Sequence, residues 1–377
     1  MNDPQRQIRI ETRLAARRGA LKRSARRAGS TAAALLCLTA CVSKPLAPYS
    51  EQMPPTVMVT LDQAGVRDLR GQFRAALCPR LAADAPPCDE VLLRFPGETG
   101  AAPMAGQDLR SRYRIVFVPG FFNECVDRVV RPFAGVVDDL GTHGYDVRFF
   151  QVAGRGTVAA SAEQLSRSFA ALAPDPRPII VFAFSKGFAD VLEMVVRHPP
   201  SARQVAAVVA VAGVVNGTPL AEGLDDLYRR LGARFPMPDC ARGNGEEVTD
   251  MRRERRLEWW RQNGDAIGVP LYSLVAVPRP GSVSPVLATK YRRLALIDPR
   301  NDGQLLWYDA ITPRGNLLGY VNADHWTITI DLKKRLPLMA DLFRDQVPRT
   351  ALVEAAIDVV DRQLTAAARR PKNGGRR

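Results

Sequence analysis

Three features of the sequence predict an α/β fold built on a mostly parallel sheet. Strand-length runs that are apolar almost throughout recur at 114–119, 179–184, 205–212 and 270–277, as strands buried on both faces require. Longer segments with helical spacing lie between them, at 126–140, at 160–172 and after Phe188, where apolar residues fall at 188, 191, 192, 194 and 195. The alternation of the two kinds of segment implies a parallel sheet covered by helices on both faces. A further strand is expected at 145–152, and no internal repeat is present.

Taken in order, the chain begins with an address. Residues 1–28 are polar and arginine-rich, and an apolar run at 32–41 follows that is too short to span a bilayer as a permanent helix. A basic region, a short apolar region and a small-residue end make an export signal. Leu38-Thr39-Ala40-Cys41 resembles the bacterial lipobox, which implies an acylated Cys41, removal of residues 1–40 and a membrane anchor. Val42 next to it implies the outer membrane, and an ordinary cleaved signal peptide ending near Ala40 is the alternative. Residues 41–55, rich in Pro and Ser, read as a tether. The 56–61 run has strand character, 64–78 suits a helix, and 90–95 suits another strand.

The charge of +14 is concentrated at the ends. Residues 1–40 carry +7 and the last nine residues another +5, which leaves about +2 for the body. No basic recognition face follows, and a nucleic-acid partner is not expected. Export places Cys78, Cys88, Cys125 and Cys240 in an oxidising compartment, as an even set of four. The pairing Cys78–Cys88 with Cys125–Cys240 is favoured, although three pairings are open. No Cys/His spacing suggests zinc, and no metal or cofactor is expected.

Chemistry concentrates at Ala183-Phe184-Ser185-Lys186-Gly187, between a buried strand and an amphipathic helix. A serine at so sharp a strand-to-helix turn needs small neighbours two positions away on each side, and Ala183 and Gly187 supply them. The turn leaves the hydroxyl above the sheet, facing the free N–H groups of the helix start. The plain alternative is a helix N-cap.

A serine nucleophile needs a base, and the chain has three histidines. His143 stands in a turn before a strand, at the opposite end of a parallel sheet. His198 ends the helix that Ser185 begins, about 18 Å away along its axis. His325, in Asn322-Ala323-Asp324-His325-Trp326, remains. The acid that orients it is sought among Asp298, Asp302, Asp309 and Asp324. Asp302 is favoured because the Asn301-Asp302-Gly303 turn follows a strand and gives the order Ser, Asp, His. Two N–H donors for a developing oxyanion are expected from Lys186, after the serine, and from Phe121, in the Pro119-Gly120-Phe121 loop. Lys186 itself is a poor base, since adjacent side chains leaving a tight turn point apart.

With these motifs, and with Asn216-Gly217-Thr218-Pro219, residues 113–345 resemble an α/β-hydrolase of the bacterial lipase and esterase kind. The resemblance implies a nucleophile at Ser185, an acid at Asp302 and a base at His325. It also implies hydrolysis of small-molecule or lipid carboxylic esters through an acyl-enzyme, without a cofactor. The hydrolase domain is expected over 56–350, with a lid insertion at 219–268 and a C-terminal helix and basic tail at 351–377. Trp259 and Trp260 in that insertion either pack on the core or face the substrate's acyl chain. An acyltransferase on the same residues, and a non-catalytic lipoprotein using the fold for binding, are the rival readings.

Overall fold

The structure is a computed structural model that describes residues 55–369, apart from 103–105, 128–129, 173, 223–227, 229–231, 238–239 and 344. The expected signal, Cys41 and residues 42–54 of the expected tether lie outside the described residues. Eight strands form one sheet: β1 (Arg67–Asp68), β2 (Leu92–Leu93), β3 (Arg114–Val118), β4 (Asp146–Phe149), β5 (Ile179–Phe184), β6 (Val205–Val211), β7 (Leu271–Ala276) and β8 (Asn316–Val321). Their order is β1-β8-β7-β6-β5-β3-β4, parallel throughout, with β2 antiparallel on β8. This is the α/β-hydrolase fold predicted from the sequence. β5 and β6, fully apolar in sequence, have almost no residue reaching solvent.

Helices cover both faces. On one, α1 (Arg70–Leu77), α2 (Ala134–Thr142) and α6 (Arg349–Arg369) share a core with Phe117, Phe182 and Val209. On the other, α3 (Val158–Ala170), α4 (Lys186–Arg197) and α5 (Arg253–Asn263) are joined by Val116, Val181 and Val208. The side chains of successive strand residues alternate between these two clusters, as the pleat requires.

The structure differs from four sequence expectations, one of them the 64–78 helix, which starts only at Arg70 because Arg67–Asp68 pair with β8 as β1. The 56–61 run is not a strand: Pro55–Met58 is a helical turn, and Val57 packs against Leu220, Leu294 and Leu306. Pro55 suits the first position of a helical turn, where its missing N–H costs nothing. The 126–140 helix is broken, because Pro132 has no N–H and disfavours helical backbone before it; Phe133 takes φ 62° and α2 starts at Ala134. The strand expected at 90–95 shrinks to two residues, since Cys88–Val91 forms a helical turn.

The chain forms β3, steps outward to β4 and returns to β5 on the other side of β3. The direction of winding reverses there, which opens a crevice at the carboxyl ends of β3 and β5. Gly120 and Ser185 both stand at its mouth.

Candidate active site

Ser185 sits between β5 and α4 with φ 54° and ψ −128°, a backbone state that costs a non-glycine residue about 1–3 kcal/mol. Three backbone bonds hold it. Its N–H donates to Val211 O (3.2 Å), and its carbonyl accepts from Phe188 N (3.1 Å) and Val214 N (3.0 Å). The glycines explain themselves by contact. A Cβ on Gly187 would lie 2.2 Å from Pro119 O, and one on Gly120 would lie 2.7 Å from Ser185 Cβ. The loop after β3 therefore runs directly against the serine only because both positions lack a side chain.

His325 is 2% exposed and spans the gap between serine and acid. Its Nε2 is 2.9 Å from Ser185 Oγ, and its Nδ1 is 2.7 Å from Asp302 Oδ2. Phe184 packs against the ring at a centroid distance of 5.0 Å. The acid is held as firmly as the base. Asp302 Oδ1 accepts from Gln304 N (2.7 Å) and Leu305 N (2.6 Å), and its carbonyl accepts from His325 N (2.9 Å). Asn301 shapes the turn, accepting from Gly303 N (3.0 Å) while Gly303 takes φ 88°.

The other candidate carboxylates are engaged elsewhere. Asp298 pairs with Arg300 (2.7 Å) and accepts from Trp307 Nε1 (3.1 Å); these partners outweigh its burial and hold its carboxyl below the usual range. Asp309 forms a wholly buried pair with Arg253 (2.7 Å), and burial pushes it well up. Asp324 caps the histidine turn, accepting from Trp326 N, Thr327 N and Ser284 N at 2.7–3.0 Å. It holds the turn that carries His325 without touching the ring. His143 faces Glu354 (2.9 Å), and His198 ends α4.

Lys186 divides its roles. Its backbone N–H begins α4, where first-turn donors have no acceptor within the helix. Its side chain turns away into the α3–α4 contact, where Nζ meets Asp190 Oδ1 (2.6 Å) and Ser161 Oγ (3.3 Å). This buried pair was not singled out in the sequence, although a Lys–Asp spacing of four on one helix was the available signal.

The insertion grips the loop that carries Phe121. Cys125 is bonded to Cys240, and Cys78 to Cys88. The Phe121 ring stands 5.8 Å from that of Tyr228. Arg155 donates to Ala233 O (3.1 Å) and Phe235 O (2.7 Å) while covering the Phe122 ring at 4.9 Å. Phe122 N donates to Gly154 O (2.8 Å). Trp259 and Trp260 take the core-packing role: their Nε1 groups donate to Glu193 Oε2 (2.5 Å) and to Val215 O (2.9 Å), against α4.

Serine, imidazole and carboxylate thus form one hydrogen-bonded line at the switch point of an α/β-hydrolase sheet. No protein-family model matches the chain, and no curated protein sequence matches it. Among solved structures, the metagenomic carboxyl esterase MGS0156 is 34% identical, with a TM-score of 0.76, covering 85% of this chain and 100% of that one. The chain belongs to the carboxyl esterases of the α/β-hydrolase fold and is an ester hydrolase. The mature lipase BlEst2 of Bacillus licheniformis is similar at 19% identity, with a TM-score of 0.47 and coverage of 61% and 91%. The Staphylococcus hyicus lipase is similar at 12% identity, with a TM-score of 0.45 and coverage of 70% and 100%.

Proposed function

We propose that the protein is an exported serine esterase, held in the cell envelope by acyl chains on Cys41, that cleaves carboxylic esters through an acyl-enzyme. The observation that carries the serine-esterase reading is the continuous contact from Ser185 Oγ through His325 to Asp302, at 2.9 and 2.7 Å, while export and the anchor rest on the Leu38-Thr39-Ala40-Cys41 motif alone. His325 Nε2 takes the Ser185 proton as Oγ attacks the ester carbonyl carbon, and the carbonyl π electrons move onto oxygen. The N–H groups of Phe121 and Lys186 receive that oxyanion; one such donor is typically worth about 10²–10³-fold in rate. The C–O bond then breaks, and imidazolium returns the proton to the departing alkoxide. Water repeats the sequence on the acyl-enzyme, releasing the acid and Ser185. Asp302 keeps the Nδ1 proton in place and balances the imidazolium charge.

Labelling by a fluorophosphonate probe tests the nucleophile whatever the natural ester is. The parent should label at Ser185, and Ser185→Ala should remain folded and unlabelled. Labelling that persists in the variant would overturn the assignment. Mass spectrometry of the mature N-terminus tests the anchor, for which diacylglyceryl-Cys41 is expected. An unmodified N-terminal peptide would rule the anchor out and leave the esterase chemistry standing.

A further inference from the structure

We propose that Arg155 is a positioning residue of the esterase: it holds the turn that presents the Phe121 N–H to the ester oxygen at Ser185. This rests on the function proposed above, in which that N–H is one of two oxyanion donors. The Phe121 N–H makes no hydrogen bond among the described residues. It belongs to a turn from Gly120 to Asn123, closed by Asn123 N donating to Gly120 O (3.4 Å). Phe122, third in the turn, takes φ 68° and ψ 0°. These are close to the angles of a type II turn at the position that calls for glycine or asparagine. A phenylalanine keeps them only where its surroundings hold it there. Without such a hold the 121–122 peptide would flip toward the commoner type I turn, and the backbone around Phe121 would shift with it.

Two contacts from the loop after β4 supply the hold. Phe122 N donates to Gly154 O (2.8 Å), and the Arg155 guanidinium covers the Phe122 ring at 4.9 Å. Gly154 N donates to Glu124 Oε2 (2.9 Å), and a Cβ on Gly154 would lie 2.9 Å from Cys125 Sγ, so this loop rests directly on the segment that carries the turn. Arg155 is 5% exposed and forms no ion pair among the described residues. Its Nη1 donates to Ala233 O and Phe235 O, while Nε and Nη2 are buried without a partner. A desolvated guanidinium with no carboxylate is a costly way to fill space, and an apolar side chain of similar length would fill it without that cost. The flat cation supplies what an apolar chain cannot. It bonds carbonyls of the insertion and lies on the Phe122 ring at once, an attraction that desolvation strengthens. Cys125–Cys240 ties the chain just past the turn to the same insertion, and Arg155 makes the tie at the strained residue itself.

The test compares the full chain with Arg155→Met and Arg155→Lys. It uses a water-soluble short ester, a trifluoromethyl ketone that adds to Ser185 Oγ and leaves an oxyanion, and endpoint fluorophosphonate labelling to count competent sites. Arg155→Met should lower kcat per labelled site by about tenfold or more, short of the roughly 10²–10³-fold lost with a whole donor, and leave KM unchanged. The Ki of the ketone should rise by the same factor, and Arg155→Lys should fall between Arg155→Met and the parent. If Arg155 only supported the fold, labelled sites would be lost while kcat per site and Ki stayed at parent values, and that result would overturn the proposal. Should Arg155→Met not fold, Phe122→Leu keeps Arg155 and deletes the ring face: kcat should fall and Ki should rise by a common, smaller factor, and a parental Ki would overturn the proposal. A parent unlabelled at Ser185 would take down the function proposed above together with this inference. A labelled parent with unchanged variants takes down this inference alone.

Discussion

Two buried carboxylates flank the Ser185 turn, and they are treated in opposite ways. Asp302 uses both oxygens: Oδ1 accepts two backbone N–H groups and Oδ2 meets the His325 ring. Asp190, one turn along α4, meets Lys186 with Oδ1, while its buried Oδ2 has no partner. Burial pushes the Asp190 carboxyl up to about 6, against the pull of Lys186. Equal burial therefore comes with unequal partners, two backbone donors and a ring nitrogen for Asp302 against a single lysine for Asp190. The satisfied one is the carboxylate proposed to orient His325. The under-satisfied one belongs to a charge cluster with Arg256 and Asp250 that ties the insertion to the nucleophile helix.

The largest expected effect breaks the functional half of this comparison. Asp302→Asn should leave the fold intact and reduce kcat by about 10⁴-fold, because the amide cannot hold the reactive tautomer. Asp190→Asn should leave kcat within a few-fold of the parent. If Asp190→Asn were the inactive variant and Asp302→Asn nearly fully active, the roles would be reversed.

Stability breaks the other half. Asp190→Ala strands the Lys186 ammonium in a site only 1% exposed. Removing one member of a buried pair costs about 3–5 kcal/mol, so denaturant unfolding should show a loss of that size. Arg253→Met, which strands Asp309 in the same way, should fall in the same range. Losses under 1 kcal/mol would mean that water reaches these groups.

The pH dependence sharpens the contrast. A carboxyl raised from 3.8 to about 6 in the folded protein binds its proton more tightly there than in the unfolded chain. Between about pH 4 and pH 6 the folded state holds the extra proton, so this group's contribution to stability falls as pH rises through that window. The loss is on the order of 3 kcal/mol once ionisation is complete. Asp190→Asn keeps a neutral side chain throughout. Its stability relative to the parent should therefore climb as pH goes from 4 to 6.5 and then level off, and a flat difference would mean that Asp190 ionises as freely as in water.

The sequence carries this architecture unevenly. β3, β5, β6 and β7 are legible because strands buried on both faces are apolar at nearly every position. The site is legible because the serine needs its small neighbours and only three histidines compete for one role. The supporting shell is not legible. Asp324 caps a turn through backbone donors that any polar side chain could meet, and Asp190 looks like an ordinary polar residue of an amphipathic helix. Its burial follows from α3 and the insertion folding over it, which is a tertiary event. The 56–61 run differs for a related reason: its β propensity is real, but Val57 packs among leucines distant in sequence, which is again a tertiary event.

The smallest expected effect concerns the tryptophans, which belong to the Asp190 side of the comparison. The Arg256 guanidinium lies 4.8 Å from the Trp259 ring, and burial lowers it to about 10. The Trp260 indole N–H is tied to Val215 O, beside the strand end. Trp259→Phe and Trp260→Phe keep the packing and delete one hydrogen bond each. A net loss of about 1 kcal/mol per bond is expected, read as a shift in the denaturant midpoint. Because Trp259 is tied to α4 and Trp260 to the segment after β6, within one packed cluster, a longer acyl chain gains nothing from them. The ratio of kcat/KM between long-chain and short-chain esters should therefore be the same in the parent and both variants. A loss that grows with acyl length would put the rings in the substrate path, where each buried methylene adds about 0.8 kcal/mol, and would move the insertion from the supporting side to the functional one.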